Sequence, residues 1–571
     1  MPQLILPRRT LAALVFLGVA PAMGTVEGLD EIAAVRAAYP RPIALAASWD
    51  PALVREVNAA VARQARERGT RLVLGPTLDV ARDPRRGRIE ETFGEDAHLV
   101  GELGVAAVEG LQGKGPRLAP GTVLAAVGHL AGPALPGDAA GPAPVAPREM
   151  REVYLAPFEQ VAKRAAPAAI VVSRNEIDGI PAHANRWLLR DVVRGEWRYG
   201  GALLAAPGAI EELHSVYRVA ANARAAEALA AEAGVDLGGI ALEPRAQAAP
   251  RGPNAPAYGV ARSRALALKA AQRSIVLLKN EGALPFTRSA SGVKPRVAIV
   301  SAGAPAAILE TLRGRARARA EVVANADTAQ HVVLALGDAP AAEQRAALEA
   351  LAAGGKPVVV VLCGDRPDVD PAIARQASAL LAAWGLGERG GDAVADVLFG
   401  DVNPGGKLPL TIARQPGQLP LFYDAKPSAR RGYLFDSSDP LFAFGWGLGY
   451  APFELGPPRL SAPSMAIDGS VRISVEVRNR GRVAGDETVQ VYVRDRVSSV
   501  TRPVKQLKAF QRVRLAAGGR RTVTFTLDAA SLAMWDDNMR RVVEPGDFEI
   551  LAGPDSAHLQ SAALTVVGAT R

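Results

Sequence analysis

The sequence predicts a multidomain α/β protein: two α/β domains followed by a smaller β-sandwich. Three observations lead there. From residue 40 to about 240, and again from 262 to about 415, short apolar runs alternate with amphipathic stretches of helical period. From about residue 466 the period drops to two, with Gly and Pro between short strands. A chain of 571 residues also exceeds one ordinary domain, and length alone suggests about two to four.

The first element carries two readings. Arg8-Arg9-Thr10, the apolar run Leu11–Val19 and Ala20-Pro21-Ala22 form a basic n-region, an h-region and a small-residue cleavage pattern, so residues 1–24 read as a signal peptide, with paired arginines that suit a twin-arginine leader. The run is too short to span a bilayer. Leu17–Ile32 also reads as a buried strand followed by a loop, the start of the first α/β domain. A cleaved leader implies a periplasmic or secreted protein, a retained strand a cytoplasmic one, and both readings stand at this point.

Residues 25–241 then supply apolar runs at Arg71–Leu74, Val123–Val127, Ala169–Ser173 and Ala202–Ala206, with helical stretches at Pro51–Arg68 and Pro147–Ala165 between them. That alternation predicts parallel strands with crossover helices, as a barrel or an open sheet. The Pro/Gly/Ala-rich segment Leu242–Tyr258 breaks the pattern and places a linker at 242–261. The second α/β domain, 262–415, opens on a long helix and Ser274–Lys279. It continues through strands at Arg296–Val300, His331–Leu336 and Pro357–Leu362. Gly303 and Gly337 follow strands, but no GxGxxG opens a helix, so no dinucleotide fingerprint is present. A connecting segment, 416–465, leads to the sandwich at 466–571, whose alternating strands are Val471–Asn479, Thr488–Arg494, Thr522–Leu527 and Asp547–Leu551.

Composition narrows the function classes. With 49% hydrophobic and 22% charged residues the chain is neither disordered, collagenous nor coiled-coil. Its net charge of +9 comes from scattered arginines, with no basic run longer than pairs such as Arg85-Arg86. That pattern reads as a solvated surface and not as a nucleic-acid patch. The lone Cys363 excludes an internal disulfide framework and a Cys-based metal cluster, and reads as a small buried hydrophobe at a strand end. No ligand cluster suggests a metal or cofactor.

Several segments carry a family resemblance. Gly75–Asp96 (GPTLDVARDPRRGRIEETFGED) resembles glycoside hydrolase family 3, the β-glucosidase and β-xylosidase group. Asn175–Asn185, Arg194–Trp197, Ser274–Gly282, Asp396–Thr411 and Pro440–Tyr450 follow in family order. Lys505–Val513, Trp535 and Val542–Ile550 are similar to the fibronectin type III-like module of the same family. The resemblance covers nearly the whole chain from about residue 17. It implies a (β/α) barrel-like domain, an α/β sandwich domain and that module. It also implies retaining hydrolysis of terminal β-linked sugars by two carboxyl groups about 5–5.5 Å apart. One attacks the anomeric carbon; the other protonates the leaving oxygen and then activates water.

The residues depart from that expectation at the chemistry. The family nucleophile lies in a segment like VVSDYGAIEEL; here Leu203–Leu213 reads LLAAPGAIEEL, so Ala206 stands where the resemblance implies Asp. Glu211 and Glu212 lie at least five residues along, on a following helix that points them elsewhere. The family's acid/base Glu lies on a long excursion after the strand matching His331–Leu336. Here Gly337-Asp338-Ala339-Pro340 goes almost directly into a helix, leaving Asp338 and Glu343 as the nearest acids, read as a strand-end Asp and a solvated helix Glu.

The sugar-binding set implied by the resemblance is partly kept. Arg88 matches the ligand-binding Arg, whose guanidinium fork suits paired hydroxyls. His129 matches the His of a Lys-His pair whose Lys is Gly128 here; it reads equally as a core histidine. Glu27 matches a pocket acid, Arg174 replaces a Tyr, and Asn175, Glu176, Asp178 and His183 read as loop-fastening residues. The barrel domain is also short at its seam, Gly239–Tyr258. The expected function is therefore a β-glucosidase-like scaffold with its own hydrolysis lost or severely impaired, a pseudoenzyme that takes a β-linked oligosaccharide or glycoside if the pocket survives. Two alternatives stay open: an active glycosidase with a relocated carboxylate, and a non-catalytic interaction protein using the sandwich.

Overall fold

The computed structural model describes residues 35–85, 87–113, 121–131, 142–238, 260–286, 293–429 and 437–568. The proposed leader, Glu27 and most of the proposed linker lie outside the described residues. In the first domain, β1 (Leu72–Thr77), β2 (Leu124–Leu130), β3 (Ala169–Val172) and β4 (Ala202–Leu204) form one all-parallel sheet in sequential order. Helices Ala97–Gln112, Ala156–Arg164 and Trp187–Glu196 connect successive strands, and Pro51–Glu67 precedes them. The Pro51–Glu67 helix starts sharply because Asp50 caps it, accepting from the Leu53 N–H, with Pro51 preset for the first turn.

Strand alternation sorts the sheet into two faces. Val73, Ala125, Val127, Ile170 and Leu203 are buried beneath the helices. On the opposite face Leu74 is exposed, and Leu124, Val171 and Leu204 are only partly covered. Four strands with one open face make a partial barrel among the described residues. The stretch Pro147–Ala165 is helical but not continuous: its pieces are Pro147–Glu149, a wide turn at Met150–Tyr154, and Ala156–Arg164. Pro157 lacks the N–H that a regular helix would bond to Val153, so the ladder is reset there.

The second domain is a six-stranded sheet. With β5 (Val276–Asn280), β6 (Arg296–Ala302), β7 (Glu321–Val323), β8 (His331–Leu336), β9 (Val358–Leu362) and β10 (Ala379–Ala382), the order is β7-β6-β8-β9-β10-β5, and only β5 is antiparallel. Helices cover both faces, so β9 is buried at every position and reads as an unbroken apolar run. Cys363, just past β9, is buried, and burial pushes its thiol up to about 12, which makes it a packing residue.

The β-sandwich begins earlier than residue 466. The strands β11 (Phe453–Leu455) and β12 (Arg459–Leu460) both pair with β14 (Ser470–Asn479), after β13 (Ser464–Ala466) has crossed to the other sheet. The second sheet also holds β15 (Gly485–Asp495), β16 (Gln506–Leu515), β18 (Gly546–Gly553) and β19 (Gln560–Val567), while β17 (Arg520–Asp528) pairs with β14. Val471, Ile473, Val475 and Val477 alternate inward along β14, as the period-two reading requires. Among the described residues no helix is long and apolar enough to cross a membrane.

The three parts meet in a buried polar knot. Glu95, from the FGED stretch, accepts the Thr411 N–H at 2.6 Å, the Thr411 hydroxyl at 2.7 Å and the Tyr423 N–H at 3.0 Å. The Tyr423 hydroxyl donates to Asp96 at 2.7 Å and accepts the Leu507 N–H of β16 at 2.8 Å. Its ring stacks on Phe444, centroids 4.5 Å apart, and meets Tyr492 edge-on. Beside it, Arg82 pairs with Asp424 at 2.5 Å and lies over the Phe422 ring. Gly94 has φ +110°, and an added Cβ would fall 2.1 Å from the Pro409 carbonyl oxygen, so only glycine lets the two chains approach here.

Burial pushes the Glu95 carboxyl up to about 8, against the Thr411 and Tyr423 hydrogen bonds that pull it down. A carboxyl raised in the folded state stabilises at low pH and loses that contribution as pH rises through its folded value. Burial also raises Asp96 to about 6, which acts in the same sense as Glu95, while it lowers His98 and His183 to about 4 and Lys508 to about 8; these three bind protons more tightly when unfolded, so their contributions rise with pH and oppose that of Glu95. Between pH 6.5 and 8 the part of the unfolding free energy that Glu95 contributes should therefore fall with rising pH, by no more than about 1.4 kcal/mol per pH unit. Chemical denaturation across that window checks it. Relative to the native protein, the slope of Glu95→Gln should be more positive across that window, and identical slopes in the two proteins would exclude Glu95 as a titrating group.

Candidate active site

Arg88, His129 and Ala206 follow or end the strands β1, β2 and β4 on their C-terminal side. Ala206 lies two residues past β4 and is buried at 7% exposure. Its N–H donates to Nε2 of His183 at 3.1 Å. An imidazole that accepts there is neutral, and burial followed by the nearby Arg174 charge holds His183 down at about 4. His183 thus fastens the Ala206 turn to the segment after β3. In that segment Glu176–Ile177 and Ile180–Pro181 form a small hairpin, turned by Asp178 and Gly179 at positive φ. The Ala182 N–H donates to the Asn175 backbone carbonyl at 2.9 Å, so the segment is fastened at Asn175 as well as at His183.

The neighbouring acids are engaged elsewhere. Helix Ala209–Ser215 follows the Ala206 turn, as expected. Its Glu212 pairs with Arg174, whose Nε donates at 2.9 Å, and Glu211 is exposed. An added Cβ on Gly208 would lie 3.9 Å from Arg174 Nη2, which places this guanidinium beside the turn. Arg174 thus brings a cation to the turn together with its own counter-ion.

Arg88 has positive φ and pairs with Glu91 at 2.7 Å; its side chain is 59% exposed. His129 projects at the end of β2 with its side chain 44% exposed. Asp79 holds it twice, accepting the backbone N–H at 2.6 Å and facing Nδ1 at 3.3 Å. Asp79 is a buried site residue that sequence reasoning missed. The available signal was an acid placed just past an apolar parallel strand, where ligand-facing side chains concentrate. Arg82, Glu95, Asp96 and Asp424 were missed for another reason: their partners lie more than 300 residues away in sequence.

Across the seam, Gly337–Pro340 forms a tight turn between β8 and helix Ala341–Ala352. The Asp338 N–H bonds the Gly303 carbonyl, and both Asp338 and Glu343 are exposed. An added Cβ on Gly337 would fall 2.1 Å from the Gly303 oxygen, so these two glycines press the strand-end loops together. Arg88 is held by Glu91, His129 by Asp79 and Ala206 by His183, each on its own stretch of chain. No group of three or more His, Cys, Asp or Glu side chains suited to a metal ion occurs among the described residues.

Comparison with known proteins agrees with this architecture. Residues 15–249 match the glycosyl hydrolase family 3 N-terminal domain, 275–450 its C-terminal domain, and 487–556 a fibronectin type III-like domain. A β-xylosidase from Formosa agariphila is 32% identical over 92% of this chain and 88% of its own length. A periplasmic β-glucosidase from Salmonella typhimurium is 31% identical over 93% of this chain and 85% of its own. Among solved structures, a β-glucosidase from Erythrobacter marinus superposes with a TM-score of 0.82 at 32% identity, covering 93% of this chain and 86% of that one. An aspartate-to-alanine variant of a β-glucosidase from Listeria innocua, in complex with laminaribiose, gives a TM-score of 0.84 at 28% identity with the same coverages. With both domain models matched in order and relatives above 30% identity along nearly the whole chain, the protein belongs to glycosyl hydrolase family 3.

Proposed function

We propose that this chain is a family 3 scaffold of β-glucosidase or β-xylosidase type whose own hydrolysis is lost or severely impaired, and whose strand-end pocket binds a β-linked glycoside through Arg88 and His129, with Glu27 as a further contact. The observation that carries the reading is Ala206 at the end of β4. A methyl group has no lone pair to attack an acetal carbon, and loss of a nucleophile in other enzymes costs about 10⁴–10⁶ in rate. The near acids offer no replacement: Glu212 is spent on Arg174, Glu211 faces solvent, and Asp79 is held against His129. The short Gly337–Pro340 turn supports a second loss, because no loop from β8 extends an acid over the pocket. The laminaribiose complex of the Listeria innocua variant supports binding without turnover, since an alanine substituted for an aspartate in that relative is compatible with a bound disaccharide.

An aryl β-glucoside with an activated leaving group separates the two losses, because dinitrophenolate departs without protonation. The native chain should release no dinitrophenol above background. Ala206→Asp should release a burst comparable to the enzyme concentration and then stall, as the glycosyl-enzyme waits for a missing base. Steady turnover by Ala206→Asp would mean that acid/base function survives elsewhere. Turnover by the native chain that one carboxylate substitution abolishes would sink the proposal outright.

Binding is tested separately by calorimetry with laminaribiose and xylobiose. Arg88→Ala should weaken the tighter of them by about tenfold, the loss of one charged hydrogen-bonding fork. Identical isotherms for native and Arg88→Ala protein would remove Arg88 from the pocket.

A further inference from the structure

We propose that the cleft between the β-sandwich and the start of helix Pro51–Glu67 is a second carbohydrate site, taking one pyranosyl ring of a β-linked saccharide. The cleft has a volume of about 300 Å³ and is lined by residues from three parts of the chain: Trp49 and Asp50, Arg273 of helix Val260–Ser274, and Asp486, Phe510 and Arg514 of the sandwich. That volume is at the lower limit for small-molecule sites, about 300–1,000 Å³, and suits a single ring.

The lining is built as a pyranose requires. A β-pyranose offers an apolar C–H face and a rim of hydroxyls, each of which donates and accepts. Phe510, Arg512 and Arg514 alternate along β16 and so share one face of the strand. The Phe510 ring is half-buried and held from behind by Trp49, edge to face with centroids 5.2 Å apart, and by His98 at 6.2 Å. A ring fixed in this way offers its remaining surface at little entropic cost. Around it donors and acceptors alternate. Arg273 pairs with Asp50, while Asp486 sits between Arg512 at 3.5 Å and Arg514 at 3.2 Å.

Three guanidinium groups against two carboxylates leave the rim near charge balance, which favours a neutral polyol over a simple anion. Arg512 is committed to the frame, donating to the Ser48 and Gly405 carbonyls. Arg514, with its side chain 67% exposed, can turn toward a hydroxyl. None of these residues belongs to the strand-end set, so the inference stands whether or not Ala206 has silenced the pocket.

Ligand-observed NMR and calorimetry with methyl β-glucopyranoside, on the full chain, test the proposal. Saturable binding should persist in Arg88→Ala protein. In that background Phe510→Leu should weaken it about tenfold by removing the ring face. Arg514→Ala should weaken it about threefold, and its exposed position leaves the fold intact. Thermal melts of each variant separate lost binding from lost structure. The proposal is overturned if Arg88→Ala alone abolishes binding, if neither sandwich variant that still melts like the native protein changes it, or if the cleft responds to sulfate and not to the glycoside.

Discussion

Everything in this molecule turns on how two adjacent carboxyl groups, Glu95 and Asp96, are buried where three domains meet. A buried carboxyl with an unmet lone pair costs several kcal/mol, so such a group is tolerated only when every donor is in place. The donors here are distributed. Thr411 comes from the end of the second domain, Tyr423 from the connecting segment, and the Tyr423 hydroxyl is itself fixed by the Leu507 N–H of the sandwich. No single domain can satisfy the pair alone. The knot therefore selects one relative placement of the domains, and apolar packing around Tyr423, Phe444, Tyr492 and Leu507 in the first core supplies the favourable free energy.

That placement has consequences at the strand ends. The loop that leaves β1 carries Asp79, Arg82 and Arg88 before it reaches Glu95, so anchoring its far end sets where those three side chains lie. Arg82 reinforces the anchor through Asp424 and Glu149. Meanwhile the polar groups nearest Ala206 are arranged in mutually satisfied pairs: Arg174 with Glu212, His183 with the Ala206 N–H, His129 with Asp79. A retaining glycosidase needs the opposite, a carboxylate whose lone pairs face the substrate. Mutual satisfaction is what a binding surface or a quiet scaffold can afford and what a nucleophile cannot.

Much of the architecture was legible in the sequence because it rests on local periodicity. The Val-rich run of β9 announces a doubly covered parallel strand, and the strict alternation of β14 announces a sandwich with one wet face. β16 was legible only as a motif, since Leu507 and Phe510 pack on the first domain and break the alternation that a free sandwich face would show. That Ala206 stands where the resemblance implies Asp could be read because the flanking GAIEEL holds the register. The pairing of Asp79 with His129, and the whole Glu95 knot, could not. They depend on contacts between segments from 50 to more than 300 residues apart, and no local pattern in one sequence encodes those.

One physical rule separates carboxyl groups that hold the fold from those that act on a substrate. Glu95 cannot be replaced by an apolar residue without stranding two buried backbone N–H groups, those of Thr411 and Tyr423, in the seam. A catalytic carboxylate is held differently, aimed at a substrate and short of protein partners, so it adds local strain and contributes little to the fold. Where no such carboxylate stands, no donor is orphaned, and the turn can be tied down by a neighbour, as the His183 ring ties the Ala206 N–H. Stability therefore protects the seam and is indifferent to the nucleophile. A family 3 chain can keep its three-domain form and its buried acidic knot whatever residue stands at the end of β4.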